Sequence, residues 1–470
     1  MVPSYEDLPR DEKGRVQYPS VVIHLPENLD LGRLKRRFPP AFASFDDAKC
    51  LYLVGLLCYR VTYDRRWSKK PWKFIPLHSK ELELQGVRNS ADYFEWLEQC
   101  GVININHCYK NGESSKGYRL TKRYRFDSSR PSGITGWSIQ KNVFKKALWK
   151  FHSRWWQIQH HEQPDVQDIV DHLTKFLNEL DIDLEKAQNL NNEEFQMALE
   201  SQTGRELQKA YNRHNRVVIA LDKLKMKQHY PIIDQTGGRF HSLITNLPKE
   251  YRKYLSWKGH KLISIDIKNS QPFTLISIIN NQQGGIMFAK REVMNYIYLV
   301  CNGMFYEYIR YKALDLRLID RNVTREDIKG MCFAYLFSHP DYCSKDVKLI
   351  IKPVFQRYFP GIAMLLSNLK QNNYNELAIQ MQRVESELVL NRVVRRISRE
   401  CPWICLFTIH DSIATLPKWV DYVKSVLLEE SQRLFGCVPQ TSLEEWGLKQ
   451  ITSKGNMVND SALYGRRHLN

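Results

Sequence analysis

The sequence contains no apolar run long enough to span a membrane, and it contains no Cys-x-x-Cys pair. A membrane-spanning helix needs about 20 consecutive apolar residues, so we expect no membrane partner. The ten cysteines are scattered, and Cys401 and Cys405 have no matching Cys or His pair nearby, which argues against a zinc site. The first residues, "MVPSYEDLPRDEKGR", are charged and unlike a secretory signal. These absences predict reduced thiols and a cytoplasmic location.

The sequence also lacks internal repeats and low-complexity tracts. Hydrophobic residues make up 43% of the chain and aromatic residues 12%, so the 470 residues can form several folded domains. Acidic residues are the minority, because 69 Lys and Arg face 51 Asp and Glu for a net charge of +18. This excess favours a polyanionic partner, nucleic acid first. The alternative is a basic protein whose charge serves solubility alone.

The N-terminal part of the sequence predicts an arm followed by a DNA-binding module. Residues 1–44 are rich in proline and charge and predict an irregular arm. Residues 45–127 contain three helical patterns and then two β-like arms around the turn "KNGESSKG". This order is typical of a winged helix, and Lys110 and Lys116 at its tip, with Arg119 beyond, suit contacts to DNA phosphates. The alternative is a winged helix that contacts only protein.

Two aspartates far apart in the sequence lie in β-rich surroundings. The stretch "LISIDIKNSQPF" (Leu262–Phe273) predicts a strand that ends near Asp266 and a helix that begins around its proline. The stretch "PWICLFTIHDSIATLP" (Pro402–Pro417) places Asp411 at a tight hairpin. A buried acid is costly unless something compensates it, and Mg²⁺ prefers hard oxygen ligands. Two such acids suit a two-Mg²⁺ phosphoryl-transfer site. The alternative is one helix cap and one core salt bridge.

Two further stretches point to a nucleotide as the substrate. "TREDIKGMCFAYLFSHPD" spaces Arg325, Lys329, Phe333 and Phe337 at steps of four, on one side of a predicted helix. Cations suit a triphosphate, and aromatic rings suit a base or sugar. The alternative is a helix with core phenylalanines and exposed cations. "DQTGGRFHSLITNLP" carries Arg239 after two glycines, which permit close backbone approach.

The order of these stretches resembles that in family A DNA polymerases and single-subunit phage and mitochondrial RNA polymerases, which share a right-hand fold. "TGGRF" looks like the T-x-x-G-R segment of the family, which implies that Thr236 and Arg239 contact the primer-template. "IDIKNSQPF" is similar to motif A and "TIHDSIATLP" to motif C, which implies that Asp266 and Asp411 bind two Mg²⁺ ions. The resemblance spans roughly residues 225–430.

The fingers and one palm helix complete the resemblance. The spacing R-x3-K-x3-F-x3-F is similar to motif B, the fingers helix. It implies that Arg325 and Lys329 meet the triphosphate and that Phe333 lies against the base or sugar. The stretch "IQMQRVES" (Ile379–Ser386) is similar to the palm helix that bears a glutamine near the minor groove, which implies this role for Gln380.

Three positions depart from the family pattern. Family A DNA polymerases have a Glu five residues after the motif A aspartate, where it helps to exclude ribonucleotides; this chain has Gln271. Motif C reads His410-Asp411-Ser412, the form of the single-subunit RNA polymerases, whereas DNA polymerases usually have His-Asp-Glu. Those RNA polymerases usually carry a Tyr at the last aromatic position of motif B, where this chain has Phe337. We expect Gln271, Phe337 and His410 to line the nucleotide site, with a weak preference for dNTPs.

The resemblance implies an α+β right-hand polymerase, with an antiparallel sheet in the palm and with helical fingers and thumb. The winged helix predicted from the element order would precede it, since residues 1–135 match nothing in the family. A linker and a helical, thumb-like region are expected at 128–225, and the palm and fingers at 226–470, with the fingers near 290–375. The implied partners are a DNA primer-template and nucleoside triphosphates, and other replication proteins are candidate partners.

The function that follows is template-directed nucleotidyl transfer, as a DNA-directed DNA polymerase. No 3′–5′ exonuclease signature is visible, so we expect no proofreading. A winged helix on a polymerase suits the replication protein of a phage or plasmid. One alternative is a single-subunit RNA polymerase or primase. A second is a non-catalytic replication initiator that binds DNA, although such a protein has no need of both aspartates. A third is a nuclease, which has no need of the helix with Arg325 and Lys329.

Overall fold

The computed structural model describes most of the chain. It covers residues 8–18, 21–64, 67, 73–107, 115–125, 134–160, 166–227, 231–281, 289–338, 350–371, 373–446 and 448–451. Across these ranges, no helix is long and apolar enough to cross a membrane.

Helices make up most of the described structure. In chain order they are α1 (Leu31–Arg37), α2 (Asp47–Tyr63), α3 (Ser79–Leu84), α4 (Ser90–Gln99), α5 (Asn142–His160), α6 (Gln167–Leu177), α7 (Leu184–Ser201), α8 (Gly204–Lys225), α9 (Leu243–Asn246), α10 (Ser270–Asn281), α11 (Lys290–Cys301), α12 (Phe305–Asp315), α13 (Arg325–Phe337), α14 (Lys352–Tyr358), α15 (Pro360–Lys370), α16 (Glu376–Ser386), α17 (Arg395–Glu400) and α18 (Val420–Phe435). A π-helical segment, Glu387–Val394, joins α16 to α17.

The strands are short, and those of the five-stranded and three-stranded sheets pair antiparallel. They are β1 (Val22–Pro26), β2 (Ile75–Pro76), β3 (Ile103–Asn106), β4 (Gly117–Leu120), β5 (Ile134–Ser138), β6 (Leu180–Ile182), β7 (Ile232–Ile233), β8 (Phe240–His241), β9 (Leu255–Trp257), β10 (Ile263–Ile267), β11 (Phe407–Ile409), β12 (Ser412–Thr415), β13 (Thr441–Glu445) and β14 (Leu448–Ile451). Helices combined with small antiparallel sheets give the α+β class predicted from the sequence.

The chain divides into two compact units that are not continuous in sequence. The first unit contains Met1–Pro164, Asp181–Tyr230 and Asn246–Tyr254. The second contains Asp165–Leu180, Pro231–Thr245 and Leu255–Asn470. The region expected to be thumb-like, 128–225, therefore contributes residues to both units.

The first unit has one continuous apolar core. Helix α2 runs through it with Leu53, Val54 and Leu57 fully buried. The Asp46 side chain caps this helix by accepting the N–H of Ala48 at 2.9 Å, a role that short polar side chains fill at helix starts. Helix α8 adds Tyr211 to the same core. Its members therefore come from both ends of the unit's sequence.

The segment predicted as a winged helix has the element order on which that prediction depends. Helices α2, α3 and α4 precede strands β3 and β4, and the short strand β2 lies between α2 and α3. The three strands form one sheet in the order β2-β4-β3. Phe94 of α4 stacks on Tyr118 of β4 with 3.8 Å between ring centroids, so the helix and the sheet share a core. The winged helix and its DNA contacts stay predictions.

The second unit is built around a five-stranded antiparallel sheet in the order β11-β12-β10-β13-β14. Strand β10 lies in its centre, which fits its apolar residues: Ile265 is fully buried. It pairs with β12 on one side, where Ile265 faces Ile413, and with β13 on the other. A central strand positions its end relative to two neighbours, and the end of β10 carries Asp266.

Candidate active site

The two predicted metal ligands lie at the same end of the sheet on neighbouring strands. Asp266 is the fourth residue of β10 and pairs with Ser412, the first residue of β12. Asp411 directly precedes Ser412, in the two-residue turn between β11 and β12. The turn is tight because His410 adopts a left-handed conformation, with φ of 55°. The hairpin predicted from the sequence is therefore present, and it brings the two acids next to each other.

Two serines fix the surroundings of Asp266. Ser264 lies two residues earlier on the same face of β10, and its hydroxyl donates to Asp266 Oδ2 at 3.0 Å. The Ser412 and Ser264 hydroxyl oxygens are 2.5 Å apart. Both serines are buried. Asp266 itself is half-buried, so its carboxylate is held from one side and reachable from the other. Sequence analysis did not assign either serine this role.

The cations near Asp411 do not fully offset the cost of removing its carboxylate from water. Burial raises the pKa of its carboxyl above the usual range, and the hydroxyl of Ser270 and the cations Arg239 and Lys329 only partly oppose this effect. Arg239 and Lys329 come from two different predicted motifs, so the fold gathers both near one acid. A carboxylate with a raised pKa is frequent at functional sites, and a bound cation would offset the cost of its ionised form.

The Gly-Gly-Arg stretch forms a turn organised by one carboxylate. Asp234 accepts the backbone N–H groups of Thr236, Gly237 and Arg239 at 3.0, 2.6 and 3.1 Å. These bonds explain why the chain reverses here between β7 and β8. Gly238 has φ of +69°, which a residue with a side chain adopts only with strain. Thr236 is exposed at the tip of the turn.

Helix α16 lies against this turn, where Arg383 Nε donates to the Thr236 carbonyl oxygen and the Ser386 hydroxyl to that of Gly237, at 2.8 and 2.9 Å. Gln380 donates to Glu376 of its own helix at 3.2 Å. A Cβ atom on Gly237 would lie 2.6 Å from Gln382 Oε1, so Gln382 is the glutamine in contact with the Gly-Gly-Arg turn. The role of Gln380 near the minor groove stays a prediction. Gln380 lies two residues before Gln382 and faces another direction, because successive residues of a helix are rotated by about 100°.

A buried ion pair anchors Arg239 to α16. Its guanidinium donates to Glu385 from Nε to Oε1 and from Nη2 to Oε2, both at 2.9 Å. Gln271 Nε2 also donates to Glu385 Oε2, at 3.2 Å. Burial raises the pKa of Glu385 to about 7, against the lowering influence of Arg239. The sequence does not single out Glu385. In the structure, Glu385 brings Gln271 and Arg239 into one cluster.

The predicted fingers helix, α13, begins with a complete capping box. Thr324 accepts the N–H of Asp327, whose carboxylate accepts the N–H of Thr324, and this pattern stabilises a helix start. The buried face of α13 is made by Ile328, Met331, Cys332, Tyr335 and Leu336. The core face is therefore not the face that carries the predicted nucleotide contacts.

The four predicted residues of α13 lie on its accessible side. Lys329 is half-buried, with Nζ 5.8 Å from the centre of the Phe333 ring, and Phe333 packs against Phe337 at 6.1 Å. Arg325 is exposed and pairs with Glu307 at 2.5 Å. The alternative of a phenylalanine core stripe does not describe this helix, since both rings remain half-exposed.

Two more residues near the strand end have unusual settings. The His410 ring lies 6.5 Å from the His241 ring, and His241 Nε2 is 2.9 Å from Asp234 Oδ2. Asn269, three residues after Asp266, has φ of 55° and is 7% exposed. Both polar atoms of its amide are buried without a hydrogen-bond partner. Backbone strain and unsatisfied buried groups are costly and cluster at functional sites, and neither is visible in the sequence.

The predicted DNA contacts of the first unit are only partly described. Lys110 lies outside the described residues. Lys116 is half-buried just before β4, and Arg119 lies on β4 with its guanidinium 4.3 Å from the Phe74 ring. The two cations are thus close in sequence to the β3–β4 turn, as the prediction requires.

The described residues contain no group of three or more His, Cys, Asp or Glu side chains suited to a metal ion. Their cysteines are all free thiols. A pair of aspartates falls below that count of three. Mg²⁺ nevertheless requires only one or two carboxylates when water and phosphate oxygens complete its shell, so the donor set of Asp266 and Asp411 fits this ion.

No family model and no curated protein matches the sequence. Among solved structures, 59 chains match. One is the POL domain of Pol1 from M. smegmatis, in complex with a DNA primer-template and dNTP. It is 12% identical over 64% of this chain and 73% of that chain, with a TM-score of 0.43. A likeness this distant supports no statement about activity, so the function has to be argued from the site itself.

Proposed function

We propose that this chain is a template-directed nucleotidyltransferase that extends DNA. A primer 3′-hydroxyl attacks the α-phosphorus of a dNTP, the bond to the β-phosphate breaks, and pyrophosphate leaves. The observation that carries the proposal is the pairing of β10 with β12, which places Asp266 and Asp411 at one sheet end. Arg239 and Lys329 act electrostatically on the same acid. Acids and cations around one point suit the transfer of a charged phosphoryl group.

Asp266 and Asp411 would hold Mg²⁺ in this proposal. The raised pKa of Asp411 supports it, because a cation at this acid would offset the cost of its burial. When bound, the metal would neutralise charge on the phosphates and lower the pKa of the attacking hydroxyl. Ser264 then has a definite task, because its bond to Oδ2 restricts the rotation of the Asp266 carboxylate.

The residues of α13 and of the Gly-Gly-Arg turn supply the substrate contacts. Lys329 and Arg325 bind the triphosphate, and Phe333 lies against the base or sugar. Their exposed or half-exposed positions on one helix face support these roles. Arg239 and Gln382 are proposed to contact the primer-template. The short distance between Gln382 and the turn supports this pairing better than Gln380.

A single-subunit RNA polymerase or primase is the second candidate. It is favoured by Gln271, which presents an amide where the family's DNA polymerases present a carboxylate, and by Ser412 after the motif C aspartate. The DNA polymerase is preferred because Phe337 lacks a hydroxyl group that would bind a ribose. A role in replicating a phage or plasmid is proposed on the basis of the N-terminal module alone.

The test is primer extension by the purified chain with Mg²⁺. Four reactions combine primed or unprimed single-stranded DNA with either all dNTPs or all NTPs. We expect extension of the primed template with dNTPs. Asp266→Asn and Asp411→Asn should each reduce nucleotide addition at least about 1,000-fold, since each removes a carboxylate that would hold Mg²⁺ against the reacting phosphates. Binding of the primer-template should change less than about threefold.

Asp421→Asn is the matched control, because Asp421 is an exposed acid in the same unit, at the start of α18. It should extend primers as the wild type does. Synthesis on the unprimed template with NTPs would identify a primase or RNA polymerase. DNA binding without synthesis in all four reactions would identify a non-catalytic initiator. Normal extension by either Asp→Asn variant would refute the metal assignment.

A further inference from the structure

The buried carboxylate of Glu385 lies between Arg239 and Gln271. Its side chain is 3% exposed, and that of Arg239 is 19% exposed. Arg239 uses both Nε and Nη2 on it, a two-point contact that fixes the plane of the guanidinium. Gln271 adds a third bond to Oε2, across 114 residues of sequence. One acid therefore holds two residues that belong to different predicted motifs.

The chemistry of the third bond fixes the direction of the Gln271 amide. A carboxylate has only acceptor atoms, whereas a glutamine amide has a donor end and an acceptor end. Gln271 must turn its NH₂ group toward Glu385, as the distance of 3.2 Å from Nε2 shows. Its Oε1 atom is then the end that points away from Glu385. Gln271 is half-buried, so this oxygen remains available to a ligand.

We propose that Glu385 is a positioning residue that makes Gln271 a hydrogen-bond acceptor for the sugar of the incoming nucleotide. This inference rests on the proposed nucleotidyl transfer, in which the helix that follows Asp266 lies beside the substrate. A ribose carries a 2′-hydroxyl that can donate to Gln271 Oε1, and a deoxyribose has no hydroxyl there. The Glu385–Gln271 pair therefore favours ribonucleotides and narrows the preference for dNTPs.

Arg239 makes the pair rigid. Without its charge, an ionised Glu385 in this buried position would be costly, because burial raises the pKa of this acid to about 7 even with Arg239 opposing the shift. The experiment is best done at pH 8, where the carboxylate is ionised. At pH 8 the Glu385 carboxylate carries no proton, so it cannot donate a hydrogen bond to Gln271 Oε1.

The test measures kcat/KM for one NTP and for the matching dNTP in four proteins: wild type, Gln271→Met, Glu385→Gln and the double variant. Gln271→Met keeps the shape but removes the acceptor, so the NTP:dNTP ratio should fall about 3- to 10-fold, the value of one hydrogen bond. Glu385→Gln permits the Gln271 amide to turn over, so the ratio should fall about 2- to 5-fold. In the Gln271→Met background, Glu385→Gln should leave the ratio unchanged.

That last comparison separates positioning from general damage. If Glu385 only stabilises the fold, Glu385→Gln lowers both substrates equally, or it changes the ratio by the same factor in both backgrounds; either result overturns the inference. If Glu385→Gln does not fold, the Gln271→Met variant alone provides the test. An NTP:dNTP ratio that Gln271→Met leaves unchanged refutes the proposal. Gln432→Met, at an exposed glutamine of the same unit, is the control. A wild type that adds no nucleotide at all refutes the proposed function, and this inference with it.

Discussion

At the scale of single residues, the arrangement around Glu385 changes what a substitution at Gln271 is expected to do. From the sequence, an acid at this position looks like a simple return to the DNA polymerase pattern. In the structure, Gln271→Glu would place a second carboxylate about 3 Å from Glu385, and two acids this close cannot both be ionised cheaply. One of them would take up a proton or compete for Arg239. The single variant therefore does not isolate the choice of sugar.

Lys329 offers the sharpest residue-scale prediction for the fingers. Its ammonium lies over the Phe333 ring and acts on Asp411. Lys329→Ala removes a charge-assisted bond to a phosphate, so KM for the nucleotide should rise about 10-fold or more. The dissociation constant of the primer-template should change less than about twofold. Steady-state extension and a separate DNA-binding titration measure the two quantities.

Lys418→Ala is the matched control for this prediction, because Lys418 is an exposed lysine of the same unit. It should leave both constants unchanged. Equal loss of nucleotide and primer-template binding in Lys329→Ala would assign Lys329 to the template or to the fold of α13.

At the scale of secondary-structure elements, the sequence was most informative where a motif is local. Strand β10 followed by α10, the hairpin at Asp411, and α13 with its four aligned residues all follow from periodicity over short windows. The contacts that organise the site join distant elements: Ser264 of β10 with Ser412 of β12, and Arg239 with Glu385 of α16. No local pattern encodes such a pair. The motif match likewise does not predict the contacts that Gln382 and Glu385 of α16 make.

Helix α6 gives an element-scale prediction about pH. His172 is 9% exposed, packs against Phe176, and leaves Nε2 buried without a partner. Burial, helped by Lys175, lowers its pKa from 6.5 to about 4. Below pH 6.5 the unfolded chain takes up a proton at His172 that the folded chain refuses, so stability falls as the pH falls from 6.5 to 4. The loss at pH 4 approaches about 3 kcal/mol.

Urea unfolding at pH 7.5, 6.5, 5.5 and 4.5 measures this effect. His172→Phe should lose part of the acid sensitivity, so that its free energy of unfolding falls less than that of the wild type over this range. Other titrating groups act equally in both proteins and cancel in the difference. His260→Gln, at an exposed histidine of the same unit, should behave as the wild type. Parallel curves for wild type and His172→Phe would show that the ring is protonated in the folded chain.

At the scale of the whole molecule, composition favours a polyanionic partner but does not predict the division of the chain. The predicted boundaries follow the sequence in order, whereas each compact unit takes segments from at least three separate stretches. Burial explains this result: α8, between residues 204 and 225, supplies Tyr211 to the same core as α2. A core assembled across such distances has no signature in a linear reading of composition or linkers.

The net charge of +18 leads to a prediction about the intact protein and duplex DNA. If Lys116 and Arg119 bind phosphates, affinity for a closed duplex without a free 3′ end should fall steeply with salt. Each neutralised phosphate adds about 0.9 to the slope of log K against log salt. Lys116→Ala and Arg119→Ala should then each reduce that slope by about 1. Lys209→Ala, an exposed lysine of the same unit paired with Glu206, should leave it unchanged. Fluorescence anisotropy between 50 and 300 mM salt gives these slopes. Equal slopes for all four proteins would contradict the DNA contacts and favour a protein-binding role for the N-terminal module.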